Sequence, residues 1–197
     1  ATGWENLTGV STTGNITAMA TSRNNSYSNA AYSASDNNRK LYIGTDGGKL
    51  YRLDDPAFGS ASNSPTDITP SGIAATSVIT SVATNPKDDK EVLVVLSNYG
   101  IVNIYHTTDA TVASPTWTAV EGSTAAVQVA SIRSCAIAVN GNNKLYFIGT
   151  SVGVFCAPTM NGASTAWSRV GSTNIGFALA SSMRYRPSDF KLLIGTH

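Results

Sequence analysis

Short apolar stretches of four or five residues alternate along the chain with clusters of Gly, Ser, Thr, Asn and Asp, and the stretches return in a fixed order. Apolar runs of this length bounded by turn residues predict β-strands, and the chain as a whole is predicted to be nearly free of helix. The clearest stretch is Leu41-Tyr42-Ile43-Gly44-Thr45, which returns as Val94-Val95-Leu96-Ser97-Asn98, Phe147-Ile148-Gly149-Thr150 and Leu193-Ile194-Gly195-Thr196. With positions 44, 97, 149 and 195 taken as equivalent, the intervals are 53, 52 and 46 residues. That is a period of roughly 50.

Each of these strands follows another with small side chains: Ile16 to Ala20, Ile79 to Ala83, Cys135 to Val139, and Phe177 to Ala180. Small residues suit a crowded inner strand. A Gly-containing turn and a third strand come next, at Leu50 to Leu53, Val102 to Tyr105 and Val154 to Cys156, so second and third strands form tight hairpins. A fourth strand carries Trp117 to Val120 and Trp167 to Val170; Asp67 to Pro70 takes that place in the first unit, and Trp4 to Leu7 is the same element from a unit before it. A four-stranded sheet of this kind buries both faces only when neighbours pack against it, so the repeat predicts a β-propeller with blades at about 16-70, 79-120 and 135-170 and the start of another at 177-197. Residues 1-15 would supply the outer strand of a preceding or closing blade. A β-sandwich is the competing architecture, but it does not call for recurring Gly-Thr and Trp positions. Three units and a fraction fall short of the 4 to 8 blades of typical rings, so the expectation is a partial propeller completed by further blades or by a partner subunit.

Composition narrows the partners. There are 13 basic and 12 acidic residues, a net charge of +1, and charged residues make up 13% of the 197. Without a Lys/Arg cluster the chain lacks the electrostatic footprint of nucleic-acid or anionic-membrane binding. Serine and threonine reach roughly a quarter of the residues, a usage typical of solvent-facing strands and turns. The longest apolar runs, such as Val92 to Leu96, are far too short to cross a bilayer as a helix. Two cysteines, Cys135 and Cys156, neither build a disulfide scaffold nor have metal-ligand spacing; on the first and third strands of one blade they are expected to remain thiols.

Three segments, Ile79 to Asp89, Tyr105 to Asp109 leading to Trp117, and Leu41 to Arg52, carry a resemblance to the Asp-box, or BNR-like, propeller repeats of sialidases, sortilin-type receptors and xyloglucanase-type glycoside hydrolases. In such repeats Ser/Thr-x-Asp-x-Gly-x-x-Trp forms the turn between third and fourth strands. Thr107, Asp109 and Trp117 match it, while the Gly after the Asp is absent and residues are inserted. The resemblance implies that Asp109 holds a turn and that Trp117 packs under the hairpin.

The catalytic candidate is Asp46, in Ile43-Gly44-Thr45-Asp46-Gly47-Gly48-Lys49-Leu50-Tyr51-Arg52, which is similar to the strand-turn-strand of xyloglucanase-type enzymes that carries one of their two catalytic carboxylates. Inverting hydrolysis needs two carboxyl groups about 6.5 to 9.5 Å apart. The equivalent turns offer Asn98, Ser151 and His197, so no second carboxylate is apparent, and Asp-Gly is itself a strong turn dipeptide. No arginine lies in the Arg-Ile-Pro context of sialidases, and neither His106 nor His197 accompanies a Gly-x-Ser-x-Gly elbow. The carboxylate pairs Asp54-Asp55 and Asp88-Asp89 supply too few oxygens for calcium, so neither metal nor cofactor is expected. Aromatics concentrated in the first two units suggest a stacking surface, with Tyr42, Tyr51, Arg52 and Tyr99 as ligand-binding candidates. The resulting expectation is a non-catalytic binding or assembly module of a secreted or cell-surface protein, engaging a protein or glycan. The alternative is an extracellular glycoside hydrolase using Asp46.

Overall fold

The computed structural model describes residues 11–22, 39–54, 56, 64–171 and 173–197. They form an all-β chain of consecutive antiparallel sheets. The first holds β1 (Ile16–Thr21), β2 (Lys40–Thr45), β3 (Leu50–Asp54) and β4 (Thr66–Asp67). The second holds β5 (Ile79–Asn85), β6 (Asp88–Leu96), β7 (Ile104–Thr107) and β8 (Thr118–Ala119). After a single helical turn, α1 (Ala125–Gln128), the third sheet holds β9 (Ile132–Asn140), β10 (Asn143–Thr150), β11 (Gly153–Ala157) and β12 (Ser168–Val170). The fourth is two-stranded, β13 (Ala180–Arg186) with β14 (Lys191–Thr196). Strand order within every sheet follows the sequence, as chains of hairpins dictate. No helix among the described residues is long and apolar enough to cross a membrane.

The first strands of successive sheets adjoin, β1 with β5, β5 with β9 and β9 with β13. Together they surround a cavity of about 720 Å³. Each first strand carries a register irregularity at its start, at Thr17, Thr80, Arg133 and Ser181. Such a bulge re-aims one side chain. Here it lets Thr17 donate its hydroxyl to Gly44 O and Ile79 O, and Thr80 donate likewise to Val95 O and Ile132 O, stitching each sheet to the next. Between the third and fourth sheets Ser134 makes the stitch, to Ala180 O.

Three apolar cores fill the inter-sheet spaces, the smallest, with Ala136, Val154, Ala180 and Met183, between the third and fourth sheets. Tyr42, Leu50, Ile79, Val82, Val92 and Val94 pack between the first and second sheets. Leu93, Val95, Ile104, Ile132, Ile137, Ile148 and Trp167 pack between the second and third. Alternation along β6 sends Val92 and Val94 one way and Leu93 and Val95 the other, so a strand buried on both faces reads as a continuous apolar run.

Two sequence expectations move. The residue equivalent to Gly44 in the second sheet is Val95, not Ser97, because Gly44 pairs with Ala18 as Val95 pairs with Ser81; the spacings become 51, 54 and 46. An uninterrupted run with no glycine hides the register. In the first and third sheets glycine stands at this position because the next sheet comes close: a Cβ on Gly44 would lie 2.5 Å from Ile79 Cγ2, and one on Gly149 2.6 Å from Ala180 O. The fourth unit's first strand is Ala180–Arg186 rather than 177-180; Phe177 lies in the preceding turn, and the ladder with β14 starts at Ala180. The outer strand expected around Trp4 lies outside the described residues.

Candidate functional site

The β2–β3, β6–β7 and β10–β11 turns share one end of the molecule with the connections that enter each first strand. Asp46 sits there, exposed. Its Oδ1 accepts the Asn15 backbone N–H at 2.7 Å, and its Oδ2 accepts Asn15 Nδ2–H at 2.8 Å. Hydrogen bonds from the Asn15 side chain and backbone hold the Asp46 carboxyl below the ordinary carboxylate range. The same turn in the next sheets does the same work: Ser151 Oγ, at the position of Asp46, accepts the Ser131 N–H at 3.2 Å, and Asn98 Oδ1, one residue beyond the equivalent Ser97, accepts the Val78 N–H at 2.8 Å. Asn15, Val78 and Ser131 each immediately precede a first strand. In all three sheets this turn therefore supplies a side-chain acceptor that fastens the entry to the first strand onto the turn between second and third strands.

The remaining sequence candidates fall into two groups. Tyr42, Tyr51 and Arg52 are interior, which corrects their assignment to a ligand-facing surface. Tyr42 packs between the first two sheets, and burial raises its phenol pKa. Tyr51 Oη accepts the Thr13 N–H at 3.1 Å. Arg52 donates Nη1 to Ala110 O at 2.6 Å and Val112 O at 2.7 Å while pairing with Asp54, clamping the turn after β7 to the first sheet. That turn is the Asp-box-like segment. Thr107 Oγ1 accepts the Asp109 N–H, and Asp109 Oδ1 accepts from the N–H and hydroxyl of Thr111. Trp117 donates Nε1–H to Ile68 O at 2.8 Å in the preceding sheet, and Trp167 repeats the contact with Val120 O at 3.0 Å. Both indoles thus bridge sheets at their outer strands.

Tyr99 is 71% exposed, in the β6–β7 turn. Val129, between β8 and β9, and Phe177, between β12 and β13, are exposed at the same end. The Arg169 guanidinium lies 3.9 Å from the Phe177 ring centre and 5.0 Å from that of Phe155. Exposed aromatic and apolar side chains standing on turns held by buried sheets are the usual makings of a recognition face.

The densest polar cluster escaped the sequence reading. Glu91, 3% exposed on β6, accepts hydrogen bonds from His106 Nε2 and Lys144 Nζ, each at 2.9 Å, and from Tyr146 Oη and Asn85 Nδ2. Because the carboxylate only accepts, the His106 proton sits on Nε2. Burial pushes the Glu91 pKa up, but the four donors outweigh it and hold the carboxyl at about 2. None of these residues lines the central cavity, and the cluster joins the second and third sheets. Its sequence signal is period-two alternation: Glu91 lies two residues before Leu93, on the face turned to the third sheet. Cys135 and Cys156 are thiols, on β9 and β11 with β10 between them, and burial raises the pKa of each, that of Cys135 to about 12. Among the described residues no three His, Cys, Asp or Glu side chains are grouped as metal ligands.

No protein-family model matches the chain, and neither does any curated protein. Among solved structures it resembles the computationally designed Ika4 protein, with a TM-score of 0.52 at 13% identity over 98% of each chain. That likeness concerns fold alone. Raptor from Chaetomium thermophilum aligns with a TM-score of 0.38 at 13% identity over 98% of this chain; the chain spans 20% of Raptor's length, and the score is too low to carry a common fold.

Proposed function

We propose that the chain is a non-catalytic binding or assembly module, a β-propeller segment whose turn-bearing end engages a protein or glycan, with further blades or a partner subunit beside it. The propeller is supported by sheets in sequence order whose first strands adjoin around a cavity. A secreted or cell-surface setting rests on the resemblance of the repeats to Asp-box propellers.

One observation carries the non-catalytic half of this reading. Asp46 is one of three residues, with Asn98 and Ser151, that perform a single structural task in three sheets. A task that Asn and Ser also perform needs an acceptor oxygen and no ionisable acid. The binding half is supported by Tyr99, Val129 and Phe177, three large apolar or aromatic side chains exposed on one end. The alternative, an inverting glycoside hydrolase using Asp46, requires a second carboxylate across the scissile bond. Incubation with xyloglucan oligosaccharides and assay of new reducing ends tests the choice. The expected result is no hydrolysis by the chain or by Asp46→Asn; hydrolysis that vanishes in Asp46→Asn overturns the proposal.

A further inference from the structure

Two arginines break the pattern of small and hydroxyl side chains along the first strands. Strand register makes Thr17, Thr80, Arg133 and Ser181 equivalent, each the bulge residue of its first strand. Thr17, Thr80 and Ser181 spend their hydroxyls on the second-strand carbonyls Gly44 O, Val95 O and Gly195 O. Arg133 breaks the series and is exposed. Register likewise makes Ala20, Ala83, Ala136 and Arg184 equivalent, opposite Tyr42, Leu93, Phe147 and Leu193. Three small residues keep the wall of the cavity low; the fourth sheet places a guanidinium there.

Arg184 lines the central cavity and also a second, smaller one of about 160 Å³ that adjoins it; Arg133 lines the smaller one, and Met19, Val82 and Met183 are common to both. Arg184 donates Nη1–H to Met183 O, which leaves most of its five donors unused. Arg186, which lines the central cavity only, is already occupied by both oxygens of Asp189. Among the described residues no Asp or Glu lines either cavity. Two uncompensated cations above apolar walls formed by Met19, Val82, Ile137 and Met183 raise the local affinity for negative charge, and a planar fork suits a carboxylate or sulfate oxygen pair.

We infer that the smaller cavity and the central one it adjoins bind a small amphipathic anion, a carboxylate or sulfate head held by Arg133 and Arg184 in the smaller cavity with an apolar tail passing Met19, Val82 and Met183 into the central one. This site is separate from the exposed turns and does not depend on what they bind. A cavity of about 720 Å³ is in the range of small-molecule pockets and admits a short acyl chain.

The test uses substitutions that restore the residue of the other sheets, Arg133→Thr and Arg184→Ala, because those side chains already fit the same backbone. Octanoate, octyltrimethylammonium and inorganic sulfate are titrated by calorimetry against the full chain. Octanoate is expected to bind saturably, the cation not at all, and sulfate more weakly than octanoate. Each single variant is expected to weaken octanoate by about tenfold, the loss of one charge-assisted contact, and the double variant to abolish it. Arg184→Lys is expected to retain part of the affinity lost in Arg184→Ala. No saturable octanoate binding, equal binding of the cation, sulfate as tight as octanoate, or unchanged affinity in the folded double variant each overturns the assignment. Thermal unfolding of every variant separates a lost site from a lost fold.

Discussion

Glu91 and Asp46 are both carboxylates held by hydrogen bonds, and their settings are opposite. Glu91 lies between the second and third sheets with donors from β5, β7 and β10 converging on it. Asp46 lies at the exposed end and serves one neighbouring residue, Asn15. The exposed acid carries the sequence motif; the buried one carries the interactions. Solvent explains the difference. Water replaces a partner lost at the surface, whereas a buried charge stripped of its partner, or a partner stripped of its charge, has no substitute.

The largest effect that separates the two is therefore expected at Glu91. Glu91→Ala leaves His106, Lys144, Tyr146 and Asn85 turned toward an empty space, and breaking a buried charge cluster from one side costs about 3 to 5 kcal/mol. Urea unfolding measures it as a lower midpoint at constant slope. Acid sharpens the same contrast. The Glu91 carboxyl lies at about 2 in the folded chain against 4.5 ordinarily, so the unfolded chain binds the extra proton between those values. Stability from this group is complete above about pH 4.5 and falls as the pH drops toward 2, by on the order of 3 kcal/mol. Glu91→Gln is expected to flatten that slope. An acid profile that is identical in Glu91→Gln breaks the comparison.

The outer strands give an intermediate case. Trp167 is buried and Trp117 half-buried, yet both make the same indole-to-carbonyl bond to the preceding sheet. Replacing either with Phe removes that bond and is expected to cost about 1 kcal/mol, more at Trp167, where water cannot repair the carbonyl. Because the two bonds span different pairs of sheets, the double variant is expected to lose the sum. Equal losses at the two positions would weaken the case that burial sets the scale.

Most of the architecture was legible, since strands buried on both faces leave apolar runs and hairpins leave Gly-containing turns. The repeat length came within a few residues because Gly44, Gly149 and Gly195 recur at one register position, and at the first two the next sheet approaches closely. The register of β6 was not legible, as Val92 to Leu96 offers no such mark. Nor was the placing of Tyr42, Tyr51 and Arg52: aromatic content suggested a surface, while the contacts that bury them come from Thr13, Ala110 and Val112, distant in sequence. The Arg133 and Arg184 pair was hidden for a related reason. Recognising a residue that breaks a series requires the strand register that defines the series.

The smallest effect is expected at Asp46, and its smallness is informative. Asn at this position keeps an oxygen to accept the Asn15 N–H and tolerates the same turn geometry, as Asn98 does in the second sheet. What Asp46→Asn gives up is a negative charge in full contact with water, where the Asn15 amide that now faces Oδ2 can turn to solvent. The unfolding midpoint of Asp46→Asn is therefore expected to match the parent at neutral pH. Asp46→Ala removes the acceptor itself and leaves the Asn15 N–H to water, so it is expected to lower the midpoint more than Asn does and less than any change at Glu91. The order Asn, then Ala, then Glu91→Ala tests the whole comparison in one series of melts. If Asp46→Asn destabilises as much as Asp46→Ala, the charge matters beyond its oxygen, and the shared task of Asp46, Asn98 and Ser151 fails.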